Sequence, residues 1–228
     1  MMLKPWEQLP DDMRCDEVRP YYEYLKKRKL SLILKRLFDM IASAIMLVLL
    51  SPIILVLSIW IKIDSKGPVV FKQQRVTQYG RIFYIYKFRT MVADAEKLGT
   101  QVTVKNDDRI TRVGKKLRKC RLDEILQLVN ILKGEMTFVG TRPESVKYVN
   151  AYTNEMKATL LLPAGVTSVA SIQYKDEERL LDGVEDIDDI YIHKILPEKM
   201  RYNLNEIYRF HVGHELVVML QTVKAVIH

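Results

Sequence analysis

Asp123 and Glu124 are adjacent, they open an apolar-periodic segment, and they follow the most basic stretch of the chain. Neighbouring residues on a helix point about 100° apart, so two such carboxylates do not share one face. They can instead take different duties around one phosphate, an oxygen of one attacking or activating while the other holds a divalent cation. Acids in the first turn of a helix are also ordinary partners of its dipole, so the pair alone fixes no chemistry. Its surroundings narrow the choice. Residues 62–121 hold 16 Lys or Arg against 5 Asp or Glu, whereas residues 122–228 hold 11 against 16. Carboxylates set into a focused positive region suit polyphosphate chemistry, in which Mg²⁺ and Arg or Lys side chains neutralise the group being transferred. The candidates for that neutralisation are Lys87 and Arg89 at the end of an expected strand, Arg109, Arg112 and Lys115 just before the pair, and Arg142 in the loop that starts at Gly140. The basic neighbours are also expected to depress the carboxylate pKa values and keep Asp123 anionic.

The segment Leu37–Ile63 says where such chemistry takes place. From Met40 to Ile61 it runs for 22 residues without a charge, close to the roughly 20 apolar residues that the hydrocarbon thickness of a bilayer demands. Its length and its distance from the first residue argue against a signal peptide. Pro52 lacks an amide hydrogen and clashes with the carbonyl of residue 48, so it predicts a kink; Ser51 beside it can donate its hydroxyl to a carbonyl freed there. Lys26, Lys27, Arg28, Lys29, Lys35 and Arg36 precede the run, and Lys62, Lys66, Lys72 and Arg75 follow it. Positive flanks on both sides favour a bent, re-entrant segment that enters and leaves on the cytoplasmic face. An ordinary kinked span is the alternative.

The remaining elements must hold the acids near this segment. Residues 1–20 carry three prolines and little periodicity, which predicts an irregular arm. Residues 21–36 interleave tyrosines, leucines and basic groups, as a helix on an anionic membrane surface or one packed on the domain would. Val69–Phe71 and Ile82–Phe88 are expected to pair as an antiparallel hairpin. Met91–Leu98 is expected to be a short helix, Gly99–Asp108 a loop, and 112–119 a basic helix. Leu122, Ile125, Leu126, Val129 and Leu132 repeat at helical spacing, with Asp123, Gln127 and Asn130 on another face and Gly134 placed to end the helix. Gly140–Pro143 and Pro163–Thr167 read as tight loops; helices are expected over 145–161, 185–195 and 203–225. The chain of 228 residues, 48% apolar with net charge +8, fits one helix-rich α/β unit. Cys15 and Cys120 have neither disulfide-framework nor zinc-site spacing, which agrees with a reducing compartment. The basic region lacks the interleaved aromatics of a stacking platform, which argues against nucleic acid.

Several ordered motifs lie along the chain: Lys35-Arg36-Leu37-Phe38-Asp39, Ser51-Pro52, Gly67 to Phe71 with Gln74-Arg75, Lys87 to Met91, and Asp108 to Gly114. They continue through Leu122-Asp123-Glu124, Gln127-Leu128, Leu132 to Met136, Val139-Gly140 and Arg142-Pro143. This series resembles the bacterial sugar transferase family of small monotopic polyprenyl-phosphate phosphoglycosyl transferases, which begin capsule, exopolysaccharide, O-antigen or other glycan assembly. Thr141 stands where the family often has proline, and Thr77 where glycine is common.

The resemblance implies an N-terminal arm and surface helix over 1–34, a re-entrant membrane helix broken at Ser51-Pro52 over 35–63, and a cytoplasmic catalytic domain with amphipathic interfacial helices over 64–228. It implies a UDP-sugar donor, undecaprenyl phosphate as acceptor, and a place among the lipids of the bacterial inner membrane at its cytoplasmic face. Asp123 would be the nucleophile of a covalent phosphosugar intermediate with release of UMP, and Glu124 would hold Mg²⁺. Arg142 and the Lys87, Arg89, Arg109 and Arg112 motifs would contact phosphate or nucleotide. Partners would be downstream glycosyltransferases, with a homodimer allowed. The competing reading is an inactive membrane scaffold of a polysaccharide assembly complex.

Overall fold

The computed structural model describes residues 3–93, 95, 107–175, 177 and 186–227. Residues 19–64 form two helices, α1 (Arg19–Lys26) and α2 (Lys29–Asp64), parted at Lys27-Arg28. The expected surface helix over 21–36 is thereby divided. Its first half is a core element, because Tyr21, Tyr22 and Leu25 lie on one side of α1 and are buried. The arm before it forms two 3-10 turns, Trp6–Gln8 and Asp11–Met13. Leu9, Met13 and Val18 enter the same core cluster as the C-terminal helices.

At 36 residues, α2 is about 54 Å long at 1.5 Å per residue. It is long and apolar enough to cross a membrane, and only 11% of its most apolar stretch is buried. Pro52 lies within it. Ser51 Oγ donates to the Val48 carbonyl at 2.7 Å, which is the carbonyl that an amide at position 52 would have bonded. Leu32, Lys35, Asp39 and Ser43, and then Leu57 and Ile61, form its buried side, while Val48, Leu49, Leu55, Val56, Ile59 and Ile63 are among its exposed apolar residues. The two buried charges are paired. Lys35 donates to Glu215 and lies 3.9 Å from Asp39; Asp39 accepts from the Thr137 hydroxyl at 2.6 Å.

Beyond α2, β1 (Val70–Val76) and β2 (Ile82–Phe88) form the expected antiparallel hairpin, with β1 longer at its C-terminal end than the sequence indicated. Its turn is closed by Tyr79 and Gly80, both at positive φ (59° and 72°). Met91 bridges Ile110, and most of the helix expected over Met91–Leu98 lies outside the described residues, as does most of the following loop. The basic helix α3 (Arg112–Lys119) is capped by Thr111, whose hydroxyl accepts from the Gly114 amide at 3.0 Å. The helix expected over 122–132 is split into a 3-10 turn, Leu122–Glu124, and α4 (Gln127–Lys133), which ends at Gly134 with φ 82°.

The stretch 163–167, expected as a tight loop, contains a strand. β3 (Met136–Val139) pairs in parallel with β4 (Ala164–Thr167). A four-residue strand built on Ala-Gly has no alternating pattern to announce it, and its partner is remote in sequence. The expected helix over 145–161 is reduced to α5 (Val146–Val149) and a 3-10 segment, Met156–Leu161. α6 (Val169–Gln173) follows. α7 (Ile187–Ile190) passes through a π-turn, Tyr191–Ile195, into α8 (Leu196–Tyr208), so this helix runs well beyond residue 195. The helix expected over 203–225 breaks before α9 (Val212–Ile227), because Phe210 turns into the core and His211 Nδ1 accepts from the His214 amide at 3.0 Å. The described residues thus form a helix-rich α/β fold with two small sheets.

The β3–β4 pair fixes the loop after β3. Gly165 N donates to the Thr141 carbonyl at 2.8 Å, and a Cβ at Gly165 would overlap the Gly140 backbone. Gly165→Ala is therefore expected to lower stability by about 1–3 kcal/mol, read as a fall of several degrees in apparent Tm. An unchanged melt would show that the two strands part easily.

Candidate active site

The acid pair reaches the interior because the chain reverses after α3. Arg121 adopts φ 54°, ψ 19°, a left-handed conformation uncommon for a residue with a side chain. Glu124 N then donates to the Arg121 carbonyl at 3.3 Å, which closes the turn carrying Asp123 and Glu124. Here the acids are set apart from the α-helical frame, so their directions follow from the turn.

Glu124 is gripped from two other elements. Lys87 Nζ, from β2, donates to Glu124 Oε1 at 3.1 Å. Arg142, from the loop between β3 and α5, donates through NH2 to the same oxygen at 2.5 Å and reaches Oε2 through NH1 at 3.4 Å. Burial alone would raise the Glu124 carboxyl, but the Arg142 and Lys87 charges and hydrogen bonds outweigh it and hold the group well below the usual carboxylate range. Arg142 is held more firmly protonated, chiefly by Glu124. Burial lowers Lys87, with Glu124 partly opposing it. Asn130 supports the arrangement: its side chain accepts from Tyr86 N at 3.0 Å and donates to the Tyr84 carbonyl at 2.8 Å, tying α4 to the strand that carries Lys87.

Asp123 is treated differently. Its Oδ1 is buried and has no hydrogen-bond partner. Burial raises its pKa, the Glu124 charge adds to the rise, and Lys87 and Arg118 only partly oppose it. This corrects the expectation that nearby basic residues depress both acids. Proximity in sequence does not make ion pairs; the two cations that arrive are spent on Glu124.

The other sequence candidates fall elsewhere. Arg89 is buried and donates to the Ser65 carbonyl and hydroxyl at 2.7 and 2.8 Å, at the end of α2, while its Nε and NH1 lack partners. Arg109 is bound to Asp107 through Nε and NH2, the latter at 2.6 Å. Arg112 is exposed at the start of α3. Ser51 and Pro52 lie in α2, outside this centre. Lys115 is likewise exposed on α3, so of the six basic candidates hydrogen bonds bring Lys87 and Arg142 to the pair. Two cations outside that set act on the centre: Arg118 on Asp123, and Arg75 in mutual repulsion with Arg142. Strand alternation carries the signal for Arg75, since it shares a face of β1 with Phe71 and Gln73, and Phe71 lies across from Lys87.

The donors present fit Mg²⁺ in part. That ion usually takes one or two carboxylates and completes its shell with water and substrate phosphate. Asp123 offers an unpartnered buried oxygen, and Glu124 Oε2 has only the 3.4 Å contact. Among the described residues, no group of three or more His, Cys, Asp or Glu could hold a metal unaided.

The model of the family described as bacterial sugar transferase matches residues 30–228. The chain is 32% identical over 197 residues to the UDP-N-acetylgalactosamine-undecaprenyl-phosphate N-acetylgalactosaminephosphotransferase of Aeromonas hydrophila, covering 85% of this chain and 44% of that one. It is 38% identical over 161 residues to the UDP-glucose:undecaprenyl-phosphate glucose-1-phosphate transferase of Klebsiella pneumoniae, covering 68% and 34%. A putative undecaprenyl-phosphate N-acetylgalactosaminyl 1-phosphate transferase of Bacillus subtilis is 41% identical over 125 residues, covering 55% and 70%. The chain thus spans less than half the length of the first two.

The opposite shifts of the two acids predict opposite stability effects. A carboxyl whose pKa is higher when folded penalises folding once pH exceeds its unfolded value, about 3.9 for Asp. Asp123→Asn should raise Tm at pH 7.5, with the gain fading toward about pH 4. A carboxyl whose pKa is lower when folded stabilises above its unfolded value, so Glu124→Gln, which also strands Arg142 and Lys87, should cost about 3 kcal/mol or more at pH 7.5. Melting curves across pH check both signs; equal shifts for the two variants would contradict the assigned environments.

Proposed function

The chain belongs to the bacterial sugar transferase family, and from that premise we propose that it transfers a phosphosugar from a UDP-sugar to undecaprenyl phosphate, releasing UMP and starting a bacterial glycan. The relatives' names share the acceptor and differ in the sugar. The observation that carries the assignment is the buried, unpartnered Asp123 oxygen beside a Glu124 already neutralised by Lys87 and Arg142.

Asp123 is the nucleophile in this reading. An Asp123 carboxylate oxygen bonds to the sugar-bearing β-phosphorus as the bond to the bridging oxygen breaks, and UMP leaves with that electron pair. An oxygen of undecaprenyl phosphate then bonds to the same phosphorus, and the carboxylate departs. Two displacements replace one, as nucleophilic catalysis requires. A carboxylate oxygen without hydrogen-bond donors keeps its electron density for attack, whereas Glu124 is too firmly paired for that part. Lys87 and Arg142 carry two positive charges against the two negative charges of Glu124 and the attacking Asp123, so the acids add no net negative charge beside the incoming phosphate. Glu124 and Asp123 are the residues that would hold Mg²⁺. When bound, that ion supplies charge neutralisation at the diphosphate.

The apolar acceptor calls for a site at the membrane, and α2 supplies the anchor. We read it as monotopic and re-entrant at Ser51-Pro52. Support comes from its two ends: Lys35 and Asp39 are paired with Glu215 and Thr137, while Leu57 and Ile61 pack with Phe88, Val113 and Leu117. Both ends are held by one domain, as expected of a segment that does not deliver them to opposite sides. The cytoplasmic face of the inner membrane, where UDP-sugars are found, follows as the place of reaction.

Purified protein given Mg²⁺, undecaprenyl phosphate and a panel of UDP-sugars should release UMP and form a lipid-linked product. Asp123→Asn should lower turnover by about 10³-fold or more and remove the phosphosugar mass adduct seen on intact protein with donor alone. Full activity in that variant would sink the covalent route, and no turnover with any donor would favour a scaffold role. For topology, cysteines placed at Lys27 and Lys66, in a background free of Cys15 and Cys120, should be labelled from the same side; labelling from opposite sides would overturn the re-entrant reading.

A further inference from the structure

Beside the acid pair lies a second polar cluster that the chemistry above does not use. Glu144, two residues after Arg142, accepts from the Tyr191 hydroxyl at 2.7 Å and lies 3.5 Å from Lys199 Nζ. Lys199 also donates to the Tyr191 hydroxyl at 2.8 Å and to Glu177 at 3.0 Å. Glu144, Tyr191 and Lys199 are buried. The three glutamates here already have their cations: Glu124 has Lys87 and Arg142, while Glu144 and Glu177 share Lys199.

Arg75 stands in this cluster without such a partner. Its one hydrogen bond among the described residues is to a neutral group, NH2 donating to Gln73 Oε1 at 2.8 Å. Among the described residues no carboxylate forms an ion pair with it, and its Nε and NH1 are not among the buried atoms left without partners. Burial lowers its pKa, the Glu144 charge opposes that, and Arg142 adds like-charge repulsion. A half-buried guanidinium held by an amide, close to a second arginine and with N–H groups still free, is suited to a phosphate oxyanion.

We propose that Arg75 is a donor-binding residue that takes the nucleotide-side phosphate of the UDP-sugar, the one that leaves as UMP. The inference rests on the proposed transferase reading and adds a residue to it. Arg75 and Lys87 occupy one face of the hairpin, and Arg75 lies four residues along β1 from Phe71, the partner of Lys87. That separation is about 13 Å along the strand, with Arg142 acting on both residues. Lys87 and Arg142 mark the reacting end, and Arg75 marks the end away from it. The lipid phosphate is the other source of such an oxyanion, and the surroundings favour the nucleotide. Tyr148 and Tyr191, whose hydroxyls act on Arg75, belong to the core cluster of the C-terminal helices. The apolar stretch of α2 from Phe38 to Ile61 packs into the other two clusters.

The test is calorimetric titration of the full-length protein in detergent with UMP, together with KM for UDP-sugar and for undecaprenyl phosphate. Arg75→Gln should weaken UMP binding by about tenfold or more and raise the donor KM in step, with the acceptor KM unchanged; Arg81→Gln, exposed on the same hairpin, should match the wild type. If Arg75→Gln fails to give a cooperative melt, Arg75→Lys carries the test. It keeps the charge, loses the fork of donors, and should weaken UMP binding several-fold. UMP affinity within about twofold of wild type in the folded variant, or a loss confined to the acceptor, overturns the assignment of Arg75 and leaves the transferase reading standing. Wild-type protein that binds neither UMP nor UDP-sugar overturns both.

Discussion

The interaction on which this site depends is the partly buried contact of one carboxylate with two cations from separate elements. Drawing Glu124, Lys87 and Arg142 partly out of water is unfavourable for each ion, and their mutual pairing offsets it. None of the three can be buried there alone at neutral pH without leaving an uncompensated charge. The hairpin, the turn after α3 and the loop after β3 must therefore come together as a unit. Neutral contacts also align them: Asn130 ties α4 to β2, and the Gly140–Gly165 approach seats the loop that carries Arg142.

The same pairing gives Asp123 its character. Two adjacent acids could have divided the available cations between them. Glu124 takes both in hydrogen bonds, and the left-handed Arg121 turn leaves Asp123 Oδ1 buried without a donor. Such an oxygen is costly to keep, since burial without hydrogen bonds disfavours the ionised form. Sites of chemistry commonly hold groups that the folded state would be more stable without.

The long helix follows a related rule at larger scale. α2 exposes apolar side chains over much of its length, yet it buries Lys35 and Asp39 on its inner side. Those charges are paired with Glu215 on α9 and Thr137 on β3, so they fix which face of an otherwise uniform apolar helix meets the domain. Hydrophobicity is non-directional and does not set a helix's rotation, whereas a buried ion pair and a carboxylate–hydroxyl bond do. The long apolar helix and the domain that carries the acid pair are thereby one structure.

Local patterns made much of this legible in the sequence. The uncharged run gives α2, β-forming residues around a Tyr-Gly turn give the hairpin, and Gly134 ends α4. Each is a short-range effect, set by residues within a few positions of one another. The acid pair and Arg142 were legible as types suited to phosphate chemistry. What the sequence by itself determined was the long apolar segment, the helix-rich class and the candidate residues for phosphate chemistry. Only the tertiary structure decided that β4 pairs with β3, that Lys87 and Arg142 reach the acids while Arg109 binds Asp107, and that Glu124 is the paired acid and Asp123 the bare one. The reason is physical: strand pairing, ion pairing and burial join residues far apart in the chain, and a carboxylate's pKa is set by the groups that arrive beside it in space.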